Sequence, residues 1–165
     1  MTSGRDISRH PDLVRLLAQT DFVPAYLELC AKYSTWIDID GPHIDMTALN
    51  ATFRNLGVKT TWHKRFRTFE FDDETIAGWE WKGSLVVKSY DMLEPMMEGR
   101  KGKYGVGSTF LSVAINAGSL RDPPIRINPP YPRPNFDGDM RTMERMVPDL
   151  VALFRSVKDA IRDNW

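Results

Sequence analysis

Ile76-Ala77-Gly78-Trp79-Glu80-Trp81-Lys82-Gly83-Ser84-Leu85-Val86-Val87-Lys88-Ser89-Tyr90 is the stretch whose reading decides the fold. It is rich in tryptophan, valine and other residues that suit a pleated, half-buried surface. Two strands are expected from it, Ile76 to Trp81 and Leu85 to Tyr90, joined by a turn at Lys82-Gly83. Trp79 and Trp81 are two apart and so point the same way, with Glu80 on the other face. Upstream, Val58 to Phe71 is again strand-like, but its alternation changes phase. Val58, Thr60, Trp62 and Phe66 share one face and Phe69 and Phe71 the other, which predicts a bulge near Arg67. Asp72-Asp73-Glu74 reads as a polar turn. Downstream, Met92 to Gly107 holds four glycines and the bases Arg100, Lys101 and Lys103, which predicts a mobile loop. Thr109 to Ile115 reads as a final strand. Residues 58–116 thus form a β-meander, because consecutive strands with short turns pair antiparallel.

Helices flank the meander. Leu13, Val14, Leu16 and Leu17 follow Pro11, a residue suited to a first helical turn. Thr20 or Asp21 suits the cap of a second helix carrying Phe22, Tyr26, Leu29, Cys30 and Tyr33 at helical spacing. Trp36 to Asp40 alternates and is broken by Gly41-Pro42. Asp45 or Thr47 caps a third helix that ends before Gly57. Residues 118–138 contain six prolines and form a connector, with Ile125-Arg126-Ile127 as a short edge strand. From residue 139 to 163, Met143, Met146, Val147, Leu150, Leu153, Phe154, Val157 and Ile161 make one apolar stripe, with Pro148 as a point for a kink. The expected fold is α+β: one domain over 1–165, an antiparallel sheet of four to five strands, with N-terminal helices (11–57) and a long C-terminal helix packed on one face.

The chain has 165 residues, 42% apolar and 27% charged, with 22 basic and 22 acidic side chains. That composition is globular. A net charge of zero argues against nucleic acid as the main partner. No apolar run reaches the length of a membrane helix, and the first residues carry no apolar core of a signal peptide. A cytoplasmic location is the expectation. The single cysteine, Cys30, leaves no intramolecular disulfide.

Candidate chemistry is sparse. Asp38, Asp40, His43 and Asp45 lie within eight residues and suit a hard or borderline cation, but Leu49 stands where an EF-hand needs its glutamate. Turn and cap roles are preferred for them. Cys30 lies on an apolar helical stripe and reads as a small core residue. Gly78 to Ser84 and Gly105 to Phe110 imitate phosphate-binding loops without the lysine or the following helix that those need. Lys59 to Arg67 interleaves bases with aromatics, as single-stranded nucleic acid binders do. Glu70, Asp72, Asp73, Glu74 and Glu80 follow closely and would repel phosphate, so cross-strand charge pairing is preferred. Pro129 to Pro134 resembles a proline-docking segment, but a rigid connector is the simpler role. Trp36, Trp79 and Trp81 are candidates either for core or for an exposed aromatic surface that anchors a partner.

With no catalytic motif, a binding protein is favoured over an enzyme. In layout the chain resembles the small single-domain immunity proteins that bacteria encode beside polymorphic or contact-dependent toxins. The likeness is a leading helical stretch, a tryptophan-bearing meander (Gly78-Trp79-Glu80-Trp81, then Leu85 to Tyr90), a glycine-rich loop and a closing amphipathic helix. The resemblance implies a non-enzymatic inhibitor, without cofactor, that binds a cognate toxin domain and occludes its active site. Asp38, Asp40, Asp72, Asp73 and Glu74 would then pair with a basic toxin surface, beside Trp36, Trp79 and Trp81. The rival reading is a small hydrolase using His43 or His63 with Asp38, Asp40 or Asp45. A third is an adaptor that presents its proline-rich segment.

Overall fold

The central stretch does form strands, but its turns fall elsewhere than expected. The computed structural model describes residues 5–6, 11–35, 44–88 and 93–165. Strand β3 (Thr68–Ile76) meets β4 (Trp79–Val87) through the two-residue turn Ala77-Gly78. Both turn residues have positive φ, 52° and 78°. That pattern matches the right-handed twist of the flanking strands. Lys82-Gly83 is therefore mid-strand and not a turn. Gly83 stands opposite Phe71, whose ring occupies the space a Cβ would take, 2.5 Å away. Asp72-Asp73-Glu74 is likewise inside β3, at a register shift between Phe71 and Glu74 where Asp72 adopts φ 59°.

The phase change near Arg67 has a different cause from a bulge. Strand β2 (Thr60–His63) ends in a short 3-10 turn, Lys64–Phe66, and Arg67 takes φ 49° before β3 begins. Two strands with a turn between them read as one strand with a slip.

The expected loop over Met92 to Gly107 is instead a hairpin in its described part. Strand β5 (Leu93–Lys101) pairs with β4 on one side and with β6 (Tyr104–Thr109) on the other. Its glycines serve packing: a Cβ on Gly99 would lie 2.9 Å from the Trp81 ring. Gly102, at φ 56°, sits in the tight turn. The expected final strand over Thr109 to Ile115 is a helix, α4 (Phe110–Ser119). The Thr109 hydroxyl accepts the Ser112 N–H at 3.1 Å, which starts the helix. Phe110, Leu111, Val113, Ala114, Ala117 and Gly118 then fall at helical spacing and are buried.

With β1 (Arg5–Asp6), the described strands form one sheet in the order β1-β6-β5-β4-β3-β2. Strands β2 to β6 are an antiparallel meander. The two residues of β1 add in parallel to β6. Helix α5 (Met140–Asn164) lies on β3 and β4, α4 on β5 and β6, and α3 (Met46–Asn55) against β2. Helices α1 (Pro11–Ala18) and α2 (Phe22–Lys32) pack chiefly on α4 and α5. The fold is α+β with its helices on one face of the sheet.

Caps appear where the polar residues predict them. The Asp45 carboxylate accepts the Ala48 N–H at 3.0 Å, the Thr20 hydroxyl that of Phe22 at 3.2 Å, and the Asp139 carboxylate that of Arg141 at 2.9 Å. Helix α5 continues through Pro148. One hydrophobic cluster joins helices and sheet, centred on Trp81, Leu85, Met97, Phe110 and Phe154, all at 1% exposure or less. Burying a side chain such as Phe154 is worth about 1.5–3 kcal/mol. Ile125-Arg126-Ile127 forms no strand. Instead the Ile125 N–H donates to the Gly118 carbonyl at 2.9 Å, tying the connector to the end of α4.

Candidate functional site

Because every described helix packs on one side, the register assigns each strand residue to the core or to the opposite, open face. Trp81, Leu85, Val87, Leu93 and Met97 face the core and are buried. Glu80, Lys82, Glu98 and Arg100 face the other way, and no described helix lies over them. Gly105 and Gly107 continue this face onto β6 with bare backbone.

The open face carries a ladder of alternating charge. His63 Nε2 lies 3.0 Å from Glu70 Oε2, Lys82 Nζ 2.7 Å from Glu70 Oε1, and the same Nζ 3.5 Å from Glu98 Oε2. Burial opposes ionisation of Glu70, but hydrogen bonds and charge from Lys82 and His63 outweigh it and hold the carboxyl below its ordinary value. Burial likewise opposes the charge on Lys82, and Glu70 with Glu98 more than restores it. A carboxylate pinned ionised and an ammonium pinned protonated recognise charge; they do not exchange protons near neutral pH. Beside the ladder lies a hollow of about 630 Å³ walled by Asp73, Glu80, Lys82, Glu98, Arg100 and Lys103. Gly105 and Gly107 line it too, so another chain's backbone can approach closely there.

The residues expected to bind a partner are dispersed. Trp36, Asp38 and Asp40 lie outside the described residues, as does His43. Asp45 serves as the α3 cap. Asp72 and Glu74 turn toward α5. Lys158 Nζ lies 2.7 Å from Asp72 Oδ2 and 2.9 Å from Glu74 Oε2, Arg155 binds Asp72 at 3.1 Å, and Arg162 holds Glu74. These two acids are engaged within the molecule. Asp73 alone of the three is exposed, on the open face. Trp81 has 0% of its surface exposed and belongs to the core. Trp79 is half-buried beside it, ring centroids 6.1 Å apart, and Trp165 closes over both at 6.2 and 6.0 Å. Lys82, Glu98, Arg100 and Lys103 had no place among the expected contacts. The signal for Glu98 and Arg100 is the period of two across 93–100, where Leu, Pro, Met and Gly alternate with Glu, Met, Glu and Arg.

A second, apolar hollow of about 510 Å³ lies between α2 and the connector, lined by Leu27, Cys30 and Ala31 on one side and Pro130 to Arg133 on the other. The Tyr26 hydroxyl donates to the Pro132 carbonyl at 3.1 Å and the Asn135 N–H to the Tyr33 carbonyl at 2.7 Å, so this segment is tied to α2. Burial pushes the Cys30 thiol up to about 11, against a smaller opposing effect of its hydrogen bond with Tyr26. Such a thiol is a poor nucleophile at neutral pH. Among the described residues, no group of three or more His, Cys, Asp or Glu is placed to hold a metal ion, and no described helix is long and apolar enough to cross a membrane.

Fold and face together define an α+β domain with one helix-covered sheet surface and one over which no described helix lies. None of the family models, curated proteins or solved structures compared with the chain matches it.

Proposed function

We propose that the chain is a protein-binding inhibitor, an immunity protein that acts in the cytoplasm and neutralises a cognate toxin domain by laying the open face of its sheet over the toxin's active site. The observation that carries the reading is that face: concave, two-signed and glycine-floored, with Glu70, Lys82 and Glu98 at its centre held by cross-strand pairs. A rigid surface loses little entropy on docking. Its mixed charge selects a complementary partner and speeds encounter. The contact falls on Asp73, Glu80, Glu98, Arg100 and Lys103, in place of the Asp72, Glu74 and Trp81 first suggested by sequence.

The test is co-expression with candidate toxin domains encoded by the neighbouring genes. The native chain should restore growth. Arg100→Glu with Lys103→Glu should fold and lose at least tenfold in affinity for the domain it neutralises. Protection that survives both substitutions contradicts the assigned face. One observation favours the rival hydrolase: the His63–Glu70 contact at 3.0 Å. Turnover separates the two readings: a hydrolase shows it in the native chain and loses it in His63→Ala, whereas an inhibitor shows none in either.

A further inference from the structure

The turn between β2 and β3 collects the strongest unpaired positive charge described on the molecule. Lys59, Lys64, Arg65 and Arg67 are all exposed within nine residues, and among the described residues none of them has an ion-pair partner. Trp62 and Phe66 stand among them with 38% and 57% of their surfaces exposed. Trp62 rests one face on Phe69, ring centroids 4.6 Å apart, and Arg65 lies 5.5 Å from the centre of the Phe66 ring. The turn is held firmly. Its Arg67 N–H donates to the Lys64 carbonyl at 3.3 Å, and its Arg67 carbonyl accepts the Val87 N–H at 2.8 Å. Strand β2 is the last in the sheet, so β3 pairs with one of its edges and no described strand lies along the other.

The sequence alone argued that nearby acids would repel phosphate here. The structure takes them away from the turn: Asp73 and Glu80 are exposed but lie toward the far, Ala77-Gly78 end of the β3–β4 hairpin, and the other three are matched by cations. Asp72 and Glu74 point toward α5 and are matched by Arg155, Lys158 and Arg162. Glu70 is matched by Lys82 and His63. What is left at the turn is an ordered set of four cations beside two aromatic rings, the composition that tracks a phosphate backbone and stacks unpaired bases.

We infer that the β2–β3 turn is a binding site for single-stranded nucleic acid, with Lys59, Lys64, Arg65 and Arg67 on phosphates and Trp62 and Phe66 against bases. The inference is independent of what the open face binds. Recognition is by charge and stacking, so it tolerates sequence.

The test is fluorescence anisotropy of the full chain with labelled twelve-nucleotide oligo(dT) and oligo(U) at several salt concentrations. Binding to one or both is expected, with a slope of log K against log salt of about −2.8 for four phosphates. Arg65→Ala with Arg67→Ala should reduce that slope by about 1.4. Phe66→Ala, at an exposed ring whose loss leaves the core untouched, should weaken binding by about 5-fold or more. Arg126→Ala with Arg145→Ala, the same change of charge elsewhere, should leave binding as it was. The inference fails if neither oligonucleotide binds at low salt. It fails too if the two double variants weaken binding equally, or if Phe66→Ala has no effect, since either result describes a nonspecific polycation. Binding to phosphatidylserine vesicles without binding to either oligonucleotide assigns the turn to a membrane surface and overturns it.

Discussion

Ala77 occupies a backbone position that favours glycine or asparagine. At φ 52° its methyl group crowds the neighbouring carbonyl, whereas an asparagine side chain tolerates this region. Ala77→Asn would create the Asn-Gly pair preferred in two-residue hairpins and should stabilise the chain by about 0.5–1 kcal/mol in urea unfolding. A loss of stability would contradict the turn geometry. Gly83 shows the opposite demand. A Cβ there meets the Phe71 ring at 2.5 Å and Phe154 at 3.2 Å, both in the core. Gly83→Ala should cost about 2–3 kcal/mol, a value typical of overpacking, and an unchanged unfolding midpoint would show that the ring can move aside. These two residues also show why the turn was misplaced in sequence. Lys82-Gly83 has turn chemistry and Ala77-Gly78 half of it, and a glycine that admits an aromatic ring looks the same in one dimension as a glycine that reverses the chain.

Strand β3 and helix α5 are joined by more than apolar contact. The register shift between Phe71 and Glu74 brings both Asp72 and Glu74 to the helix side, where Lys158 bridges them at 5% side-chain exposure. Burial opposes ionisation of Asp72, but hydrogen bonds from Arg155 and Lys158 win and its carboxyl lies below the ordinary 3.8. For Glu74 the hydrogen bonds from Lys158 and Arg162 are the largest influence, and its carboxyl lies below 4.5. Between those ordinary values and the depressed ones, the unfolded chain binds more protons than the folded chain. The contribution is therefore complete above about pH 5 and lost as pH falls through the folded values. Asp72→Asn keeps a side chain suited to φ 59° and removes the charge. It should cost about 1–2 kcal/mol at pH 7, discounted for partial exposure, and the gap to the native chain should close toward pH 3. Urea unfolding at both pH values checks this, and a gap independent of pH contradicts it. Element type was legible where one period dominated, as along Met143 to Ile161 or Leu13 to Leu17. It was not legible at Thr109 to Ile115, where β-branched residues suggested a strand. There the Thr109 cap and the buried row from Phe110 to Ala117 decide for helix. Nor was it legible over Leu93 to Lys101, where glycine and charge suggested mobility while neighbouring strands supplied the order.

At the scale of the whole molecule, the sheet has one face covered by helices and one over which no described helix lies. The α+β class and the placement of helices on one side follow from the order of apolar periods along the chain. The proposed binding face does not. Its charges come from β3, β4 and β5, far apart in sequence, and only the register brings Lys82 between Glu70 and Glu98. Asp72 and Glu74, the acids most prominent in sequence, are withdrawn by a local shift that no pattern of residue types announces. Amide hydrogen exchange, recorded with and without the proposed toxin partner, tests the assigned face most directly. Residues 79–83 and 96–107 should become protected on binding, while the exposed sides of α1 and α2 exchange as before. Protection confined to those helices, with the strands unchanged, would contradict the account.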